Sequence, residues 1–198
     1  MIATGKDNSE EMFPIVDEDG NITGAASRGE CHGGSMFLHP VVHLHVFNSQ
    51  GDLFLQKRPA WKDIQPGKWD TAVGGHVDLG ENVHQALVRE AAEELGIDIS
   101  PLQVESMGHY VFQSSREREL VFPFRVVFDG DVRPSEETDG GRFWPEEELR
   151  QALGKEVFTP NFESEYQRLF LSESKFRFTP IGEPSACSEQ IPMTCGNL

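Results

Sequence analysis

Residues 75–97 read GHVDLGENVHQALVREAAEELGI, and this stretch predicts a loop followed by a helix. Glu81 and Asn82 are polar residues of the kind that begin helices, and Gly96 is a common helix stop. At about 100° per residue, five apolar side chains fall on one face of that helix. They are Leu87, Val88, Ala91, Ala92 and Leu95.

Three glutamates, Glu90, Glu93 and Glu94, crowd an arc beside that apolar face. Like charges one turn apart cost a helix about 0.2–0.5 kcal/mol per pair, and no lysine is interleaved to offset them. Such oxygen-rich clusters suit hard divalent cations, so we expect Mg²⁺ or Mn²⁺ at these carboxylates.

The whole spacing resembles the signature of the Nudix hydrolase family, G-x5-E-x7-R-E-U-x-E-E-x-G-U with U apolar, and no fixed position is broken between Gly75 and Ile97. The resemblance implies an α/β fold, a Nudix-type α/β/α sandwich with a mixed sheet. It also implies metal-dependent cleavage of a nucleoside diphosphate linked to another group. In the family the arginine, here Arg89, pairs with a signature glutamate and has an orienting role. The general base is a signature glutamate or an acid from a later loop, for which Glu137 is our candidate.

The rest of the chain reads as one domain of mixed α/β type over residues 13–171. Polar residues 1–12 predict a flexible N-terminus, and residues 172–198, rich in Ser, Pro, Gly and Cys, predict an irregular tail. An N-terminal β-hairpin is expected over residues 13–25, and residues 27–34 read as loop. The remaining expected strands are 40–47, 53–58, 103–113, 120–128 and 142–144, with helices beginning after Pro145 and over 161–171.

A formal charge of −16 argues against a partner with a phosphate backbone, so we expect a small-molecule diphosphate substrate and no nucleic acid. Three cysteines at irregular spacings suggest reduced thiols and a cytoplasmic location. No apolar run approaches the roughly 20 residues that span a bilayer, so no membrane contact is expected. The hairpin ahead of the domain suggests a possible homodimer.

Basic residues near the end of the second core strand are candidates for binding substrate phosphates. They are Lys57, Arg58, Lys62 and Lys68, and Gly75 would allow a close approach of backbone. Trp61 and Trp69 are candidates for stacking on a base or covering an apolar group, although packing is the commoner role for a single tryptophan.

A second, narrower resemblance is to the isopentenyl-diphosphate isomerases, whose metal centre combines three histidines with two glutamates. Matching residue types stand here at His32, His39, His76, Glu117 and Glu119. The isomerases have a catalytic cysteine two residues before the third histidine, where this chain has Gly74. Because glycine supplies neither acid nor base, we expect a hydrolase from the isomerase-like branch, with little or no transition metal at the histidines.

Two alternatives to hydrolysis remain open. One is an isomerase-like enzyme that uses another residue in place of the missing cysteine. The other is a non-catalytic nucleotide-sensing domain, against which the intact set of glutamates counts.

Overall fold

The computed structural model describes residues 8–61, 65–135 and 138–171. The predicted tails fall largely outside these ranges, as do Lys62 and Glu137, the substrate-binding and general-base candidates. Within the described ranges, no helix has the length and apolar character that crossing a membrane requires.

The chain begins with the expected hairpin, in which β1 (Met12–Val16) pairs antiparallel with β2 (Ile22–Ser27). Residues 27–34, predicted as loop, contain the one-turn helix α1 (Arg28–Cys31). The reason is a local capping box, since the Ser27 side chain accepts from the Glu30 amide while the Glu30 carboxylate accepts from the Ser27 amide.

The main sheet is mixed. Its order is β10 (Gly141–Trp144), β4 (Leu53–Lys57), β3 (Leu38–Phe47), β9 (Arg118–Val127) and β7 (Glu105–Ser106). Strands β3 and β9 run parallel over ten residue pairs, whereas the other pairings are antiparallel. Shorter strands join this path: β5 (Trp69–Asp70) on β4, β6 (Val73–His76) on β3 and β8 (Tyr110–Gln113) on β9.

The single strand predicted over 103–113 is two strands, β7 and β8, separated at Gly108. Gly108 has φ +84°, a left-handed conformation that turns the chain out of an extended path. Both strands still pair antiparallel with β9, so the break shifts the register by one residue, and the strand direction is kept.

Helices cover both faces of the sheet. On one face, α2 (Val83–Leu95) packs its buried side against Val42, Leu44 and Val46 of β3. On the other, α3 (Glu146–Ala152) and α4 (Pro160–Tyr166) pack against Leu53 and Leu55 of β4. The alternation of side chains along each strand therefore gives two apolar cores, and the α/β fold with a mixed sheet is confirmed.

Two helical expectations need correction. Ala92, predicted on the buried face of α2, is exposed, because that position lies at the solvent edge of the apolar stripe. The helix expected over 161–171 runs as α4 to Tyr166 and continues as a π-helical turn, Gln167–Leu171.

Candidate active site

Helix α2 is held at both ends by local chemistry. The Asn82 side chain accepts from the Gln85 amide, the Gln85 side chain accepts from the Asn82 amide, and Gly96 ends the helix at φ +64°. With its apolar side buried, the helix turns Arg89, Glu90 and Glu94 towards the sheet.

Arg89 connects the signature acids rather than entering the cavity. Its guanidinium donates to Glu81 at 3.0 and 2.8 Å, to Glu90 at 2.7 Å and to Glu93 at 3.3 Å. It also donates to the His76 carbonyl at 3.0 Å, which ties α2 to β6. The hydrogen bonds that Arg89 donates to Glu81 are the main reason that the pKa of Arg89 is raised, so this cation stays charged and its carboxylate partners stay oriented.

Glu90 and Glu94 line a cavity of about 430 Å³, the size of many ligand pockets. Burial raises the pKa of both, and for Glu94, where Glu90 adds repulsion, to about 8. The Gln56 side-chain amide donates to Glu94 at 2.9 Å. Two neighbouring, partly buried carboxylates that are pushed towards protonation would be stabilised as anions by a divalent cation, so these residues fit a metal.

The third predicted ligand, Glu93, is not in the cavity wall. Its side chain is 61% exposed and bonds to Arg89. The structure therefore brings Glu90 and Glu94 together in the cavity and leaves Glu93 on the solvent side of Arg89's ion-pair network.

Gly75 makes room for the side chain of Glu90, a role that the sequence alone did not indicate. A β-carbon there would lie 2.0 Å from Cδ of Glu90, so only glycine leaves room for that carboxylate. The close approach predicted at Gly75 is thus one between this strand and a signature glutamate.

A second cluster is formed by His32, His39 and His76, which each offer a ring nitrogen within 4.8 Å of the others. The Nε2 atoms of His32 and His76 are 3.0 Å apart, and His32 Nδ1 contacts Glu117. Buried Nε2 of His39 has no hydrogen-bond partner within the described chain. Burial lowers the pKa of His39 and His76, which favours the neutral form that ligates metals.

An aromatic ring and a further carboxylate lie beside the three histidines. Phe13 of the hairpin stacks on His76, with ring centroids 4.4 Å apart, and on His39 at 5.7 Å. Glu119 has its pKa raised to about 7 by burial and by Glu117, and it lines the same cavity as His76, Glu90 and Glu94. One cavity therefore borders both groups of predicted metal ligands.

Only some of the basic residues predicted to bind substrate phosphates lie at the cavity. Lys57 and Arg58 line the cavity, whereas Lys68 does not appear among its described lining residues.

Trp69 packs edge-on against Trp144 at 5.2 Å in the second core, so it is a packing residue, and Trp61 is 64% exposed. Ser135 and Thr138, which flank the undescribed residues of the later loop, line the cavity.

Sequence reasoning missed His43 and Glu165, which meet in the cavity wall across 122 residues. A signal existed for each. His43 lies two residues from His45 on a single face of β3, and Glu165 interrupts the apolar side of a helix between Phe162 and Tyr166. A carboxylate in such a stripe indicates a buried partner.

Comparisons with known sequences agree with these features. A sequence model of the NUDIX domain matches residues 37–162. The chain is 34% identical over 166 residues to an uncharacterized Nudix hydrolase of Streptomyces coelicolor, a match that covers 82% of this chain and 90% of the relative. It is also 34% identical over 156 residues to an isopentenyl-diphosphate Delta-isomerase of Leifsonia xyli, covering 76% and 83%.

Solved structures show the same fold. A crystal structure of a Deinococcus radiodurans protein matches with a TM-score of 0.68 and 26% identity, covering 81% of this chain and 99% of that one. A MutT protein from Methanosarcina mazei matches with a TM-score of 0.57 at 24% identity, over 70% of this chain and 96% of its own, which speaks for the fold alone.

Proposed function

Because this chain belongs to the Nudix family and is an enzyme of the Nudix hydrolase class, we propose that it cleaves a phosphoanhydride bond in a nucleoside diphosphate derivative or a related organic diphosphate. The observation that carries this proposal is the pair Glu90 and Glu94, which are partly buried in the wall of one cavity and have raised pKa values. A pair in that state is suited to holding a divalent cation against an anionic substrate.

Glu90, Glu93 and Glu94 are the residues that would hold Mg²⁺ or Mn²⁺, with Glu90 and Glu94 already in the cavity wall. Such a cation, when bound, neutralises charge on the diphosphate and acidifies water. Arg89 keeps the Glu90 carboxylate oriented through its 2.7 Å hydrogen bond.

The remaining roles follow from position and charge. Lys57 and Arg58 line the cavity and would bind phosphate oxygens. Glu137 remains our candidate for activating water, since its described neighbours Ser135 and Thr138 line the cavity. The formal charge of −16 favours a small substrate held by local cations over a nucleic acid.

The test is phosphate release from metal-stripped protein, with cations returned one at a time. The substrates would be nucleotide sugars, nucleoside di- and triphosphates, dinucleotides and prenyl diphosphates. Turnover of one class with Mg²⁺ or Mn²⁺ is expected, and no turnover of any class with either metal would overturn the proposal. Tight binding of a nucleotide without hydrolysis would favour the sensing domain instead.

The histidine cluster supports a second candidate function, an isomerase-like enzyme with a transition metal at His32, His39 and His76. The supporting observation is their three ring nitrogens within 4.8 Å of one another, with Glu117 in contact. Gly74 counts against it, because no acid or base stands where the isomerases have cysteine.

Elemental analysis of the purified protein separates the two candidates. Our expectation from the sequence is little or no zinc, iron or manganese at the histidines. One equivalent that is lost in His39→Ala would contradict that expectation. Proton exchange into isopentenyl diphosphate would then test isomerisation directly.

A further inference from the structure

The cavity wall contains a charge pair, His43 and Glu165, to which the proposed hydrolysis assigns no role. His43 Nδ1 of β3 lies 3.0 Å from both carboxylate oxygens of Glu165 in α4. The Tyr110 hydroxyl donates to the same carboxylate at 3.1 Å. The Glu165 side chain is 2% exposed, so this carboxylate is a buried group that holds the imidazole at one edge.

The opposite edge of the ring faces the cavity. His43 pairs with Gly74 across β3 and β6, and a β-carbon built on Gly74 would lie 3.7 Å from His43 Nε2. His43 and Gly74 both line the cavity that Glu90 and Glu94 border. Because Gly74 has no side chain, the space beside Nε2 is left for a ligand atom.

The charge state of the pair favours an anionic ligand. Burial disfavours a charged His43, but the Glu165 carboxylate outweighs that effect and raises the pKa of His43 to about 9. The pKa of Glu165 is lowered: burial opposes this shift, and His43 and His45 overcome it. Near neutral pH the ring is therefore an imidazolium, and both of its nitrogens are donors.

We propose that His43 is a substrate-binding residue whose Nε2–H donates to an anionic oxygen of the ligand in the cavity, and that Glu165 is the positioning residue that fixes the ring. This inference rests on the proposed function for the class of ligand, a diphosphate. The physical reason is preorganisation. A cavity lined by several carboxylates repels anions, and a donor already held by a buried carboxylate loses little entropy on binding one.

Two substitutions at His43 isolate the Nε2 donor. His43→Gln places an amide N–H near the original Nε2, whereas His43→Asn places one near Nδ1, where it still reaches Glu165. Both variants remove the ring and its charge, so their difference reports the donor that faces the cavity. Losing a hydrogen bond to a charged group lowers binding affinity about 10- to 100-fold.

The probe is methylenediphosphonate with Mg²⁺, a diphosphate that is not hydrolysed, measured by calorimetry and by ¹⁵N NMR of the histidine rings. We expect His43→Asn to bind about tenfold or more weaker than His43→Gln. We also expect the Nε2–H signal of His43 to shift on saturation. Glu165→Gln should broaden or move that signal in the free protein, an effect that a purely structural carboxylate would not produce.

His45 provides a matched control. It lies on the same face of β3 with Nε2 3.6 Å from Glu165, yet it is fully buried and is not among the described residues that line the cavity. His45→Gln should lower stability while the folded protein binds the probe like the wild type.

Several results would overturn the inference. They are equal affinity of His43→Asn and His43→Gln, an Nε2 that is unprotonated at neutral pH, an unshifted Nε2–H signal, or no binding of the probe to the wild type. Binding with the expected shift but without hydrolysis of any substrate would instead contradict the proposed function alone.

Discussion

Replacing Gly75 by alanine tests whether the placement of Glu90 matters for catalysis. A β-carbon at Gly75 would lie 2.0 Å from Cδ of Glu90, 2.2 Å from its Oε1 and 2.4 Å from its Cγ. Ordinary van der Waals contact begins at 3.4 Å, so the carboxyl carbon must move by at least about 1.4 Å (3.4 − 2.0). The clash involves only the end of a flexible side chain, and the backbone of β6 can stay where it is.

The expected cost in activity is therefore about 100-fold, and the cost in stability is limited to one hydrogen bond. A displacement of about 1 Å in a reacting constellation costs on the order of 10²-fold, or about 2.7 kcal/mol in the barrier. The fold loses mainly the 2.7 Å hydrogen bond between Arg89 and Glu90, worth about 1.5–3 kcal/mol at most because Arg89 keeps Glu81.

The assay combines kcat on the best substrate from the phosphate-release screen, a Mg²⁺ titration and thermal unfolding. Gly24→Ala is the control, since a β-carbon at Gly24 would meet only Cβ of Ile15 at 4.0 Å. We expect Gly75→Ala to lose about 100-fold in kcat and to require more Mg²⁺, while Gly24→Ala behaves like the wild type. A kcat for Gly75→Ala within about twofold of wild type would refute the role given to Glu90.

Three further predictions concern the same site. Glu94→Gln should lower kcat by at least about 10²-fold, and normal turnover would exclude Glu94 as a ligand. The unfolding temperature of the metal-free variant should be unchanged or higher, because burial already disfavours the Glu94 carboxylate. Arg89→Met should lower the free energy of unfolding in urea by about 1.5–3 kcal/mol through loss of its hydrogen bonds to Glu81, and an unchanged midpoint would contradict this. The His43–Glu165 pair should stabilise the wild type over Glu165→Gln most between pH 4.5 and 6.5. His43, with its pKa raised to about 9, loses its contribution to the free energy of unfolding as pH rises through that value. Glu165, with its pKa lowered, loses its contribution as pH falls below 4.5. A stability difference between the two proteins that does not vary with pH would exclude this coupling.

Local features of the sequence determined most of the secondary structure. Helix α2 follows from an apolar stripe with Asn82 at one end and Gly96 at the other, and each of these caps bonds to backbone groups only a few residues away. Helix α1, which lies in a segment predicted as loop, also depends on a local interaction, the capping box of Ser27 and Glu30. The residue types of the histidine cluster were also readable, because their spacing resembles that of the isomerases.

Tertiary structure alone decided which of these side chains act together. Gly75 and Glu90 meet because β6 and α2 pack face to face, and His43 meets Glu165 because α4 crosses the far side of the sheet. The folded environment then sets the charges: burial raises the pKa of Glu94 to about 8, and the Glu165 carboxylate, against the effect of burial, raises that of His43 to about 9. A pattern of residues predicts helices and strands because those depend on neighbours in the chain. A pKa depends on solvent exclusion and on charges brought from distant positions, and it exists only once the chain has folded.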